Sequence, residues 1–169
     1  MIIVVDQRNF TLSPFENEGD IINWFVSNVS SSIFPGYIHI SSEVVLDGYR
    51  LDCILYNPTT AALMIVEIKC LQSPGLIEQA LAYLNVAKRS LKSLKFDIAN
   101  TINSPNVPVS SVNVLVVSQA FTNHQIEMLS HGMPFIKLMQ VTRYVSDNKE
   151  TIAVNAELVR STKPKAIIG

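Results

Sequence analysis

Residues Ala61–Lys69 read AALMIVEIK, an apolar run of strand length that ends in an acid and a base. Apolar side chains at successive rather than alternate positions suit a strand covered on both faces. Such a strand needs a neighbour on each edge and a layer above and below it. The run therefore commits the chain to a layered α/β architecture.

The flanking segments supply the neighbours. Tyr37–Leu46 and Tyr49–Tyr56 read as strands joined at Asp47-Gly48, a dipeptide suited to a two-residue turn with positive φ. Asn57–Thr60 is a second turn, so three strands run as a meander into Lys69. Ser73-Pro74-Gly75 opens a helix with an apolar stripe at Ile77, Ala80, Leu81, Leu84, Ala87, Leu91 and Leu94, about five turns. Asn100–Pro108 reads as a loop and Val112–Val117 as a buried strand. Phe121–His131 reads as a short helix, and Pro134–Val141 as the last strand. Upstream, Met1–Val5 is a candidate edge strand. Ser13, Pro14 and Glu16 have the spacing of a capping box for a helix whose stripe is Ile21, Ile22, Phe25, Val26 and Val29. Trp24 lies among these apolar positions and is expected in the core. The expected fold is a mixed central β-sheet flanked by helices, in one domain over 1–169, with a core at about 14–141 and a tail at 147–169.

Three charged residues interrupt the apolar pattern: Asp52 in the second strand, Glu67 and Lys69 at the end of the third. Positions i and i+2 of a strand share a face, so Glu67 and Lys69 project together. Asp52 joins them if the register across the Asn57–Thr60 turn, and a bulge, allow it. Two carboxylates and a lysine are costly to bury without a partner. They suit a hard divalent cation such as Mg²⁺ or Mn²⁺ bound by Asp52 and Glu67, with the backbone carbonyl of Ile68 as a further oxygen. Lys69 could orient or deprotonate a water, or stabilise developing negative charge.

Gly48-Tyr49-Arg50-Leu51-Asp52 followed by Ile65-Val66-Glu67-Ile68-Lys69 resembles motifs II and III of the PD-(D/E)XK nucleases. Leu51 stands where the family name has Pro. Gln79-Ala80-Leu81-Ala82-Tyr83 is similar to the QxxxY motif of the RecB-like branch, and Glu18-Gly19-Asp20-Ile21 looks like the first-helix carboxylate motif. The likeness runs from the Glu18 helix to about Val117. It implies a restriction endonuclease-like αβββαβ core and metal-dependent hydrolysis of phosphodiester bonds in DNA. In that frame Asp52, Glu67, Lys69 and Gln79 are the catalytic set, and Asp52, Glu67, Ile68 and Glu18 hold the metal. Tyr83 would contact nucleic acid, with Lys88, Arg89 and Lys92 as phosphate contacts.

Charge bears on this implication. The chain has 13 Lys and Arg against 14 Asp and Glu, a formal net charge of −1. Phosphate neutralisation usually shows as a basic surplus, so any DNA-binding surface here must be local. The alternative is a restriction endonuclease-like domain without turnover, serving as a binding or assembly module. The two cysteines, Cys53 and Cys70, lie in apolar runs and read as reduced and buried. No run is long enough for a membrane span, and the N-terminus lacks the features of a signal peptide. A cytoplasmic protein that pairs with itself through Met1–Val5 or the C-terminal tail is the expectation.

Overall fold

The computed structural model describes residues 3–5, 8–130, 133–148 and 152–159. Two short strands, β1 (Ile3–Val5) and β2 (Arg8–Leu12), precede helix α1 (Glu18–Asn28), which runs on into a π-helical turn at Val29–Ile33. The meander follows as β3 (Ile38–Leu46), β4 (Tyr49–Asn57) and β5 (Ala62–Lys69). Helices α2 (Leu76–Arg89) and α3 (Leu91–Ile102) cross over to β6 (Ser111–Ser118). Helix α4 (Asn123–Ser130) leads to β7 (Ile136–Ser146) and β8 (Ile152–Leu158). The strands form one mixed sheet in the order β1-β2-β7-β6-β5-β4-β3, with β8 also paired to β7. β5, β6 and β7 are parallel, and every other pairing is antiparallel.

β5 is the axis of the fold. Every residue from Ala62 to Ile68 is buried, as a strand apolar throughout requires. Leu63 and Ile65 pack with α2 and α3 on one face; Met64, Val66 and Ile68 pack with Ile21 and Phe25 of α1 on the other. This is the three-layer αβββαβ arrangement expected from the patterning. Asp47 (φ 47°) and Gly48 (φ 79°) both take the left-handed conformation that their two-residue turn demands.

Four local expectations are corrected. α1 starts at Glu18 rather than near Ser13: its cap is Asn17, whose side chain accepts from the Asp20 amide at 2.9 Å. The Ser13 amide instead donates to the Arg143 carbonyl, which ties that segment to β7 and leaves Glu16 outside the helix. The long stripe from Ile77 to Leu94 is two helices, since the chain turns out of helical geometry at Ser90 (ψ 18°). α3 also runs three residues into the expected Asn100–Pro108 loop, ending at Ile102 and capped by Asn103 (φ 52°). Finally, β7 is longer than expected and is not the last strand, because β8 pairs along it from Ile152 to Leu158. Trp24 is half-buried and packs against the α1-side core. Met1, Ile2, His131 and Ser161–Gly169 lie outside the described residues. Among the described residues no helix is long and apolar enough to cross a membrane.

The turn between β4 and β5 sets the site. Asn57 is buried, and its Oδ1 accepts from the amides of Thr59 (3.0 Å) and Thr60 (3.1 Å). This closes a local turn with an acceptor that the backbone does not supply. Replacing Asn57 by Ala removes both hydrogen bonds and is expected to cost about 1–3 kcal/mol in urea unfolding. Asn57→Asp, which keeps the acceptor, should lose less.

Candidate active site

The β4–β5 ladder pairs Asn57 with Ala62 and ends at Cys53 opposite Val66. One further step would place Asp52 opposite Glu67, but there the backbone pairing stops. The Asp52 carboxylate takes over, its Oδ2 accepting from the Ile68 amide at 2.7 Å. On the other edge, β3 pairs with β4 at Ser42–Cys53 and Val44–Leu51 but not between Glu43 and Asp52, and Glu43 has a φ of 55°. Side chains also change face here. Leu51 shares the α2-side core with Ile54 and Tyr56, while Cys53 and Leu55 lie on the α1 side. The strand is therefore irregular at Asp52, where the side chain replaces the next backbone rung. A regular strand would put residues 51 and 54 on opposite faces.

Glu67 is only 1% exposed. Its Oε1 accepts from Lys69 Nζ at 2.8 Å and from Gln79 Nε2 at 2.9 Å. Its Oε2 is buried and has no hydrogen-bond partner. Lys69 and Glu67 meet because they are two apart on β5. Gln79 reaches them from the first turn of α2. Its amide also contacts the Tyr83 hydroxyl at 2.7 Å, and that hydroxyl donates to the Arg50 carbonyl at 2.9 Å. The i, i+4 spacing of Gln79 and Tyr83 thus fastens α2 to the start of β4 beside Asp52. Tyr83 is buried and stands edge-on to Tyr49 at 6.0 Å between ring centroids. Its hydroxyl is occupied within the fold, so its place is that of a brace rather than of an exposed contact.

Glu18 lies nearly half exposed at the start of α1, 3.8 Å from Lys69 Nζ. Among the described residues no three carboxylate, imidazole or thiol side chains form a group that could hold a metal. Glu18 therefore faces the lysine and does not complete a trio with Asp52 and Glu67. The basic candidates are elsewhere. Lys88 follows Gln79 by nine positions, about 14 Å along α2. Its Nζ lies 5.1 Å from the centroid of the Phe135 ring, Arg89 pairs with Asp47 at 3.7 Å, and Lys92 is exposed on α3.

Electrostatics follow from this packing. Burial pushes the Glu67 carboxyl up to about 7; the neighbouring charge of Asp52 adds to the rise, and the Lys69 hydrogen bond opposes it. Burial also raises Asp52, against the pull of the Ile68 amide and of Lys69. Burial works against charge on Lys69, but the hydrogen bond to Glu67 and the charges of Glu67, Glu18 and Asp52 outweigh it. Lys69 is held above the ordinary lysine value. Two carboxyls that resist joint ionisation, beside an orphaned buried oxygen, are a site short of positive charge. The oxygen-rich donor set and that orphan fit a hard divalent cation.

Two participants escaped the sequence reading. The Arg50 carbonyl is invisible to side-chain patterning. Gln119, just beyond β6, accepts from the Phe15 amide at 2.7 Å and donates to the carbonyls of Phe15 (3.1 Å) and Cys70 (2.9 Å). It so ties the approach to α1 onto the exit of β5. A polar residue directly after a buried strand was the available signal.

No family model matches the chain. An uncharacterized protein of Haemophilus influenzae is 30% identical over 164 residues, covering 88% of this chain and 52% of the relative. Among solved structures, a repair endonuclease from Pyrococcus abyssi superposes with a TM-score of 0.49 at 13% identity, over 76% of this chain and 48% of that one. The EndoMS–dsDNA2 complex gives 0.45 at 12% identity, over 77% and 47%. The chain thus spans about half the length of the proteins it matches.

The raised Glu67 value has a signed consequence for stability. A carboxyl whose folded pKa exceeds its unfolded value contributes stability that is complete below about 4.5 and is lost as pH rises through about 7. In chelator, the stability of Glu67→Gln relative to the native chain should therefore grow between pH 5 and pH 8, by on the order of 2 kcal/mol. Thermal unfolding across that range measures it. A difference independent of pH would show that Glu67 is ionised throughout.

Proposed function

We propose that this domain is a metal-dependent nuclease that hydrolyses phosphodiester bonds in DNA, with its active site at Asp52, Glu67 and Lys69. The observation that carries the reading is Glu67: buried, one oxygen held by Lys69 and Gln79, the other without a donor and close to the Asp52 carboxyl. Asp52 and Glu67 would hold Mg²⁺ or Mn²⁺, with the Ile68 carbonyl as a further oxygen. Such an ion, when bound, acidifies a coordinated water and offsets phosphate charge.

The chain's own residues do the rest. Lys69 is kept protonated by its neighbours. It is suited to holding an attacking water by hydrogen bonding and to countering charge that builds on the phosphate oxygens, rather than to taking a proton. Glu18 steadies the lysine from α1. Gln79 fixes the rotamer of Glu67 so that Oε2 stays directed away from Lys69, and Tyr83 fixes Gln79. Lys88, Arg89 and Lys92 would meet the phosphate backbone at a distance from the cut, so they affect affinity more than rate.

Supercoiled plasmid and labelled oligonucleotides incubated with Mg²⁺ or Mn²⁺ test the reading. The native chain is expected to cut, while Asp52→Ala and Lys69→Ala lose at least about 10²-fold in rate. Calorimetry should show Mn²⁺ binding that Asp52→Ala abolishes. Cleavage that survives both substitutions would place the active site elsewhere. Metal binding without cleavage would favour an assembly module built on the same fold.

A further inference from the structure

β8 is an edge of the sheet. Its pairing with β7 uses one side, and among the described residues the other side has no strand. Unpaired edges in folded proteins are usually blunted by Lys, Pro or a bulge. β8, Ile152-Ala153-Val154-Asn155-Ala156-Glu157-Leu158, has neither Lys nor Pro, and seven consecutive residues pair regularly with β7. Its even-numbered residues are Ile, Val, Ala and Leu and its odd-numbered ones Ala, Asn and Glu, so the strand has one apolar face and one more polar face. Val154 and Ala156 of the apolar face pack on the α1-side core, whereas Ile152 and Leu158 at its ends are 56% and 43% exposed. Beside this face runs a groove of about 660 Å³ walled by Trp24, Ile33, Phe34 and Met139.

We infer that β8 pairs antiparallel with β8 of a second copy of this chain, about a two-fold axis at Asn155. The occupant follows from the strand's own symmetry. In an antiparallel pair, hydrogen-bonded and non-hydrogen-bonded positions alternate, so a two-fold axis must pass through a residue pair. Centring the axis on Asn155 is the choice that overlaps all seven residues. It sets Ile152 opposite Leu158 at both ends and Val154 opposite Ala156, all on the apolar face. Glu157 then lies opposite Ala153, so no like charges meet. The two exposed large apolar side chains of the strand cover each other, and the groove floored by Val154 and Ala156 lies beside its counterpart on the same face of the second copy. The sheet continues from one copy into the next. This inference does not depend on the catalytic reading.

Sedimentation equilibrium and cysteine crosslinking of the 169-residue chain test it. The native chain should sediment as a dimer at micromolar concentration. Asn155→Cys should form an intermolecular disulfide on mild oxidation, because directly opposed residues lie within disulfide reach. Ala153→Cys should not, since four residues of strand, about 13 Å, separate it from its symmetry mate. Ile152→Lys with Leu158→Lys should give folded monomers whose thermal midpoint no longer depends on protein concentration, because both positions are exposed in the single chain. A monomeric native chain would overturn the inference. So would a dimer that crosslinks equally at both cysteine positions or persists with both lysines.

Discussion

A carboxylate buried on the central strand organises this molecule. Glu67 sits where the chain can least accommodate charge, on a strand sealed on both faces and flanked by strands on both edges. Desolvation makes its ionisation costly, and the structure meets that cost on only one oxygen. Lys69, Gln79 and, through Gln79, Tyr83 are arranged around Oε1. α2 is therefore positioned partly by a polar contact, although its stripe alone would have docked it on the sheet. The unsatisfied Oε2 and the elevated proton affinity are two signs of the same deficit. A site in deficit of positive charge at its centre is one that a cation would complete.

Much of this was legible in the residues because it depends on local rules. Alternation forces Glu67 and Lys69 onto one face, Asp47-Gly48 specifies its own turn, and i, i+4 spacing brings Gln79 and Tyr83 into line. The β5 run announces burial on both faces. What was not legible depends on competition between segments distant in sequence. Ser13 has the chemistry of a helix cap, but β7 offers its amide a partner, and Asn17 caps in its place. The apolar stripe through Leu94 is continuous in sequence, yet the chain bends at Ser90, and α3 has only Leu94 and Ile98 fully buried against the sheet. β8 is short and mixed in character, and only its long pairing with β7 makes it a strand.

The arrival of Asp52 beside Glu67 lay between these cases. The sequence makes the approach of Asp52 to Glu67 conditional on the register across Asn57–Thr60, and the pairing of Asn57 with Ala62 supplies that register. The sequence does not predict that the ladder ends there. The left-handed Glu43, the missing Glu43–Asp52 pair and the change of face after Leu51 belong to one distortion, and it needs both neighbouring strands to exist. The basic residues show the opposite outcome. Lys88 and Arg89 have the charge a phosphate track needs, but the helix carries them away from Glu67 and toward Phe135 and Asp47. The near-neutral composition is consistent with that dispersal.

The contact between Asp52 and the Ile68 amide has a wider meaning. It is the final rung between β4 and β5, and it is made by a side chain instead of the main chain. A backbone rung has a fixed acceptor strength, whereas this one weakens when Asp52 takes up a proton or lends its charge elsewhere. The seam between the two strands therefore closes on a titratable pin. Whatever alters the charge of the site also alters how tightly the sheet is fastened at that end, so the exchange rate of one amide, Ile68, carries a readable signal of the state of the whole pocket.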